Sequence, residues 1–404
     1  MQTDVFTGLK VVDFSRYIAG PLVSAYLAYY GATVVKVESS LRPDGLRISP
    51  PYKDGIPQID GSGYFAYLNA SKLSLAVNLK HPRGLDVARR VVAWADVAIE
   101  NFTPGTMESL GLGYDDLKTV KPDIIMLRTS NQGITGPNAN QPAFGHHLVG
   151  LCGYCHITGW PDRLPQAMGI AYTDVLAPRL SAAALIVALH QRRKTGKGQL
   201  IDAAQLESST HFQAPVILDY TVNGRVQGRT GNDCPSAAPH GAYPCKGTER
   251  WCAIAVTGDE EWRSFCQAID RPELADDSRF ATLLARKRHQ AELDRLVAEW
   301  TVSRAPEEVT SILQASGVPA GPVENAPDLL ADPQLVHREA FWYTEHAVIG
   351  KCAHPGSFFK MSRTPAQLRS PAPLIGQHSE LVCREFLGMS DEEFAELLVE
   401  GVLE

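Results

Sequence analysis

One carboxylate, Asp174, lies where a glycine-containing loop meets a long apolar segment, within residues 166–202 (QAMGIAYTDVLAPRLSAAALIVALHQRRKTGKGQLID). In the first turn of a helix, a carboxylate faces unsatisfied backbone N–H groups and the positive end of the helix dipole. We therefore expect Asp174 to stay ionised and to act as a nucleophile or base at neutral pH. The alternative is structural: Thr173 or Asp174 caps this helix. The residues around it are compatible with both interpretations.

The first 130 residues alternate strand and helix patterns, which predicts an α/β fold with a doubly wound, mostly parallel, Rossmann-like sheet. The strand patterns cover 9–13, 32–38, 73–79, 97–100 and 123–127, and the helix patterns cover 22–30 and 82–94. Ligands are then expected at the carboxyl ends of the strands. A dinucleotide fingerprint is absent, because the G-x-G at 111–113 does not follow a strand, and no Walker A sequence occurs.

Three regions are predicted along the chain: a large α/β domain (1–222), a smaller α+β domain (223–322), and a linker with terminal helices that returns to the large domain (323–404). Turn residues cluster at 223–244, before a strand pattern at 251–256 and helix patterns at 259–269 and 283–300. Prolines recur through the last region, which predicts an extended crossing followed by helices at 377–387 and 391–398.

Composition excludes several classes of function. The chain of 404 residues carries a net charge of −7, so we expect neither a nucleic-acid partner nor attraction to an anionic membrane. No signal-peptide pattern or 18-residue apolar run is present, which predicts a cytoplasmic protein. Cys152, Cys155 and His156 match a haem-attachment motif, but their context favours neither haem nor thiol redox chemistry, and no metal site is predicted.

Several segments together resemble the family III CoA-transferases, which include formyl-CoA and carnitine CoA-transferases and related acyl-CoA racemases. The resemblance covers nearly the whole chain. The evidence for it is the order and spacing of the matching segments. They are DFSRYIAGP (13–21), GATVVKVE (31–38), NASKLSLAVNL (69–79), ADVAIENFTPGTMESLGLGY (95–114), YTD (172–174), RRKTGKGQLID (192–202), PHGAYPC (239–245) and GVPAGPV (317–323).

The resemblance places Asp174 at the family's catalytic aspartate. It implies that CoA moves from a donor acyl-CoA, here succinyl-CoA as the expected donor, to a free carboxylic acid, expected to be aromatic or dicarboxylic, through mixed anhydrides and an aspartyl-CoA thioester. One thioester replaces another, so no ATP and no permanently bound cofactor are required, and the CoA thioester is itself a substrate. By the same resemblance, the nucleotide is lined by Asn69, Ala70, Ser71, Lys72, Asn101, Phe102 and Thr103, with Lys72 as the preferred phosphate ligand and Lys36 as a weaker one.

Substrate contacts are expected from Tyr17, Ile18, Phe144 and His146. Ile18 stands where formyl-CoA transferases have a glutamine, Ser109 where they have an arginine, and Gly145 where the family often has an acidic residue. The aromatic residues Tyr17, Phe144, Tyr154, Trp160 and Tyr172 indicate a medium-sized or aromatic acid, as in transferases of the succinyl-CoA:benzylsuccinate type, unless they are core residues. A lid is suggested at 228–232.

Two other functions stay open. An acyl-CoA racemase or epimerase would move the proton alpha to the thioester with a histidine and an aspartate; an ungapped comparison places its histidine at Phe144, beside His146 and His147. A noncatalytic subunit of a two-chain transferase is the second alternative. The resemblance further implies an interlocked dimer, either a homodimer or a heteromer with a related subunit.

Overall fold

The computed structural model describes residues 4–404. Its main sheet has six strands in the order β3-β2-β1-β4-β5-β6, and every neighbouring pair is parallel. The strands are β1 (Lys10–Asp13), β2 (Thr33–Glu38), β3 (Leu73–Ala76), β4 (Val97–Glu100), β5 (Ile125–Ser130) and β6 (Leu200–Ala204). The predicted α/β class and doubly wound sheet are confirmed, and the strand order reverses between β1 and β4.

Helices cover both faces of this sheet. The helices of this part of the chain are α1 (Ala19–Tyr29), α2 (Gly63–Asn69), α3 (Pro82–Trp94), α4 (Thr106–Ser109), α5 (Tyr114–Val120), α6 (Gly145–Leu151), α7 (Tyr154–Ile157), α8 (Tyr172–Thr195), α9 (Gln205–Thr210) and α10 (Ala214–Asn223). Alternate residues of β1 enter different cores: Val12 packs with α3 on one face, and Val11 packs with α1 and α8 on the other. A strand buried on both faces explains the near-continuous apolar runs in the sequence.

Residues 155–166 and 227–335 form a second compact unit. It contains a three-stranded antiparallel sheet of β7 (His240–Pro244), β8 (Trp251–Ala255) and β9 (Ala320–Pro322). Its helices are α11 (Asp259–Ala268), α12 (Leu283–Arg288), α13 (Gln290–Thr301), α14 (Pro306–Ala315) and α15 (Ala326–Ala331). The single helix predicted over 283–300 is wrong, because the backbone leaves helical geometry at His289. The domain limits drawn from the sequence stay a prediction.

The last part of the chain is more regular than the extended crossing that its prolines predicted. After α16 (Pro333–His337), β10 (Phe341–His346) and β11 (Gly350–Pro355) form an antiparallel hairpin. The segment FWYTEH is rich in aromatic and β-branched residues, which favour strands, and Gly350 takes a left-handed φ of 77° at the turn. α17 (Ser379–Leu381), a π-helical turn (Val382–Phe386) and α18 (Asp391–Val399) follow.

Candidate active site

A cavity of about 330 Å³ opens at the carboxyl ends of four strands of the main sheet. Tyr17 follows β1, Asn101 follows β4, Asn131 follows β5 and Gln205 follows β6, and all four line the cavity together with Asp174. The cavity therefore lies beside the point where the strand order reverses, which is where open α/β sheets bind ligands. Among residues 4–404, Asp174 is the only carboxylate in its wall.

Asp174 does not cap its helix. α8 begins at Tyr172, its N-cap is Ala171, and no side chain bonds to the free N–H groups of the first turn. Thr173 points elsewhere, since its Oγ1 donates to the carbonyl oxygen of Gly145 at 3.3 Å. The capping role considered for Thr173 or Asp174 is therefore wrong, and the Asp174 carboxylate is left to face the cavity.

Burial raises the pKa of Asp174 to about 7. The expectation that this carboxylate stays fully ionised at neutral pH is thus wrong, because removal from water outweighs the favourable position at the helix N-terminus. Gly145, in α6, makes room for it: a Cβ built on Gly145 would lie 2.4 Å from Asp174 Oδ2. No acidic side chain fits at this position beside Asp174.

A buried charge network shapes the loop between β1 and α1. The Asp13 carboxylate accepts from the Ser15 backbone N–H at 2.9 Å and from Lys72 Nζ at 3.2 Å. Burial alone would raise the pKa of Asp13, but Lys72 and Lys36 hold this pKa below its usual range. The loop is thereby fixed at the end of β1 that opens into the cavity.

Tyr17, in the same loop, is held in a strained backbone conformation. Its φ of 59° is rare for a residue with a Cβ. Its backbone N–H donates to Asp44 Oδ1 at 3.0 Å, and Gly45 leaves space for its ring, since a Cβ there would lie 2.3 Å from the ring. Such strain persists only when neighbours enforce it, and it directs the exposed Tyr17 ring to the cavity wall.

Asn101 ties this loop to the neighbouring strand. Its Oδ1 accepts from the Arg16 backbone N–H at 2.8 Å, and its Nδ2 donates to the Arg16 carbonyl at 2.7 Å. The next backbone N–H, of Phe102, donates to Glu100 Oε2 at 2.7 Å. Asn101, Phe102 and Thr103 all line the cavity, so the structure brings these three predicted residues together.

The other predicted nucleotide residues lie elsewhere. Lys72 is fully buried, and its Nζ donates to Asp13, to the Pro21 carbonyl and to Asn69 Oδ1. Lys36 Nζ is equally buried and donates to the Ser15 carbonyl. Both lysines are internal, and the structure brings neither of them into the two cavity walls, so their assignment to phosphate stays a prediction. Asn69, Ala70 and Ser71 line neither of the cavities beside the sheet ends.

A second cavity, of about 430 Å³, adjoins the first through the shared residues Arg16 and Phe102. It also contains Arg42 and Lys80, whose side chains are exposed, and Ser109. Arg16, Arg42 and Lys80 were not among the ligands predicted from the sequence. Their positions could have indicated them, because each follows the carboxyl end of a predicted parallel strand, β1, β2 or β3.

Of the four predicted substrate residues, three line the first cavity and one lies outside it. Tyr17, Ile18 and Phe144 line the first cavity, and the Tyr17 and Phe144 rings meet edge to face with centroids 5.7 Å apart. His146 is exposed and lies outside the wall, so its assignment to the substrate stays a prediction. His147 accepts from the Phe144 N–H at 3.2 Å and so caps α6. Within the described part of the chain, no histidine lines this cavity.

The chain is similar to known proteins both in sequence and in structure. The model of CoA-transferase family III matches residues 6–379. The succinyl-CoA–D-citramalate CoA-transferase of Chloroflexus aurantiacus is 34% identical over 98% of this chain and 97% of its own length. The human succinyl-CoA:glutarate CoA-transferase is 31% identical over 98% of this chain and 89% of its own. The crystal structure of a CaiB/BaiF family protein from Brucella suis superposes with a TM-score of 0.88 at 32% identity, covering 95% of this chain and 100% of that one.

Proposed function

The chain belongs to CoA-transferase family III, and we propose that it moves CoA from succinyl-CoA to an aliphatic dicarboxylic acid through a covalent adduct on Asp174. The observation that carries this proposal is a single carboxylate with a pKa of about 7 in the wall of a cavity at the ends of four strands. The names of the two relatives supply the donor and the class of acceptor. The aromatic acceptor suggested by the sequence has no support of this kind.

In the proposed first half-reaction, an ionised Asp174 oxygen attacks the thioester carbonyl carbon of succinyl-CoA. The C–S bond breaks, CoA leaves as a thiolate, and a mixed anhydride of Asp174 and succinate remains. The thiolate then attacks the aspartyl carbonyl, the C–O bond to succinate breaks, and succinate leaves. Burial favours this route, because it makes the Asp174 carboxylate more basic and limits hydrolysis of the activated groups.

In the second half-reaction, the acceptor carboxylate attacks the aspartyl-CoA carbonyl and displaces the thiolate. Attack of the thiolate on the acceptor side of the new anhydride yields the new acyl-CoA and restores the Asp174 carboxylate. No net oxidation or hydrolysis occurs, and one thioester is exchanged for another.

The second cavity is the proposed place for the nucleotide of CoA. Arg42 and Lys80 supply the cations that the pyrophosphate and 3′-phosphate require in a protein of net charge −7. Phe102, shared with the first cavity, lies between this region and Asp174. Ser109 leaves one position without the arginine that formyl-CoA transferases have there.

The two alternative functions lack a supporting observation. A racemase requires a second acid–base group, and His146 lies outside the cavity wall. A noncatalytic subunit would not require the carboxylate that this chain places in its cavity. The expected cytoplasmic location stays a prediction.

We further propose a dimer, because two helices leave apolar faces uncovered. α10 has no buried residue, and its Ile217, Leu218, Tyr220 and Val222 are exposed. α8 exposes Leu180, Ile186 and Val187, and it is the helix among residues 4–404 that is long and apolar enough to cross a membrane. A second copy of the chain would cover both faces. Native mass spectrometry tests this proposal; a monomer at micromolar concentration would contradict it.

The function is tested by incubating the protein with succinyl-CoA and glutarate, citramalate or malate, and following the new acyl-CoA by chromatography. Asp174→Asn should reduce turnover on the order of 10³-fold or more, as loss of a covalent nucleophile does. Asp115→Asn, at an aspartate whose side chain is 93% exposed, is the matched control and should retain activity. Undiminished turnover by Asp174→Asn contradicts the proposal.

A further inference from the structure

Gln205 is a buried polar side chain that shares the cavity with Asp174. It is the first residue of α9, directly after β6, and only 4% of its surface is exposed. Its Oε1 is buried and has no hydrogen-bond partner among residues 4–404. Buried polar atoms in folded proteins are nearly always paired. An unpaired amide in a cavity wall therefore indicates that a ligand supplies the partner.

The other amides of the wall already have structural roles. Asn101 is bonded through both amide atoms to the backbone of Arg16. Asn131 Nδ2 donates to the Ala143 carbonyl at 2.8 Å and so fixes the loop after β5. Among residues 4–404 the Gln205 side chain fixes no loop in this way, and its Oε1 is left without a partner.

A primary amide places a two-proton donor and an acceptor side by side. A carboxylate can only accept, whereas a hydroxyl both donates and accepts, so a hydroxyl satisfies both ends of the amide. We propose that Gln205 binds a hydroxyl group on the carbon chain of the acyl acceptor, making this transferase selective for hydroxylated dicarboxylic acids. This inference rests on the proposed function. Arg16, the one cationic side chain that the described residues contribute to the wall, is the partner for the acceptor's second carboxylate.

The selectivity follows from the cost of leaving buried polar groups unpaired. An acceptor without the hydroxyl would occupy the cavity and leave the Gln205 amide without water or a partner. Sites built to bind a hydroxyl reject analogues that lack it far more strongly than apolar pockets reject analogues of the wrong size. We therefore expect the wild type to favour the hydroxylated member of a matched pair of acids by roughly ten- to a hundredfold in kcat/KM.

The test compares kcat/KM for 2-hydroxyglutarate against glutarate and for citramalate against methylsuccinate, both enantiomers of each chiral acid, with succinyl-CoA as donor. Gln205→Met removes the amide at similar size, and the ratio of hydroxylated to unhydroxylated acid should fall at least about tenfold. Gln213→Met is the matched control, because Gln213 is 5% exposed with an unpaired Nε2 but lies outside the cavity wall. Its ratio should match that of the wild type, and thermal melting checks that both variants fold.

Two results would overturn the inference: no preference for hydroxylated acids in the wild type, or an unchanged ratio in Gln205→Met. An unchanged ratio with an equal loss for both members of each pair would assign Gln205 to the reacting carboxyl group instead. Failure of the proposed function is distinguishable, since the wild type would then transfer CoA to no acid and carry no CoA on Asp174.

Discussion

The Asp174 carboxylate occupies the space that Gly145 leaves by lacking a side chain. A Cβ on Gly145 would lie 2.4 Å from Asp174 Oδ2 and 2.6 Å from the Ala171 Cβ. Thr173 joins the same two segments through its hydrogen bond to the Gly145 carbonyl. The start of α6 and the start of α8 therefore fix the position of the carboxylate together.

Gly145→Ala should displace this carboxylate and lower kcat/KM by about a hundredfold, since a shift of about 1 Å in a reacting group has that effect. Crowding should also destabilise the fold by about 1–3 kcal/mol. Steady-state kinetics and thermal melting measure both effects. Gly150→Ala, in the same helix, is the control because an added Cβ meets nothing within 4 Å. Equal activities of the two variants would contradict the role of Gly145.

Activity should depend on pH through the ionisation of Asp174. Burial raises the pKa of Asp174 to about 7, and only the ionised form attacks the thioester. The logarithm of kcat/KM should therefore rise with unit slope below pH 7 and level off above it. A profile that is flat between pH 5.5 and 8.5 would show that this ionisation does not limit the reaction.

The same raised pKa predicts how Asp174→Asn changes stability. The folded state binds this proton more tightly than the unfolded state. Protonation of Asp174 therefore stabilises the folded state in full below about pH 4, and this stabilisation is lost as pH rises through 7. The Asn variant avoids this loss and should be more stable than the wild type at pH 8.5, by up to ~4 kcal/mol. Melting curves at pH 4.5 and 8.5 measure the difference, which should fall to about 1 kcal/mol at the lower pH. A difference independent of pH would count against a buried, titrating Asp174.

Lys72 and Lys80 should respond differently to the same substitution. Lys72→Met leaves Asp13 buried without its ion-pair partner and should destabilise the protein by about 3–5 kcal/mol. Lys80→Met removes an exposed side chain of the proposed nucleotide cavity, and should raise the KM for succinyl-CoA roughly tenfold while stability stays within about 0.5 kcal/mol. Chemical denaturation and initial rates separate the two effects. A raised KM with unchanged stability in Lys72→Met would support its assignment to phosphate instead.

The sequence was sufficient for five of the six strands of the main sheet and for the location of Asp174, because these depend on local signals, but β6 was not predicted. Apolar runs of four to six residues mark the strands, and the predicted bounds of β4 and α3 agree with the structure. The break at His289 and the hairpin of β10 and β11 were missed, since they depend on contacts between segments that one-dimensional patterns do not contain.

The lysines show why site chemistry was harder to predict. Lys36 and Lys72 occupy strand or near-strand positions whose burial follows only from the packing of α1 and α2 over the sheet. The pKa of Asp174 likewise depends on tertiary burial, which raises it. Its position at a helix N-terminus, taken alone, predicted a carboxylate that stays ionised. Gln205 carries no motif, and only the cavity wall reveals its unpaired amide.

The most direct test of the central claim is the mass of the peptide containing Asp174 after the protein has been incubated with succinyl-CoA alone and quenched in acid. The account predicts that this peptide gains the mass of CoA less one water, that the gain disappears on addition of an acceptor acid, and that Asp174→Asn never shows it. Active turnover with no adduct on this peptide, or with the adduct on another residue, would contradict it.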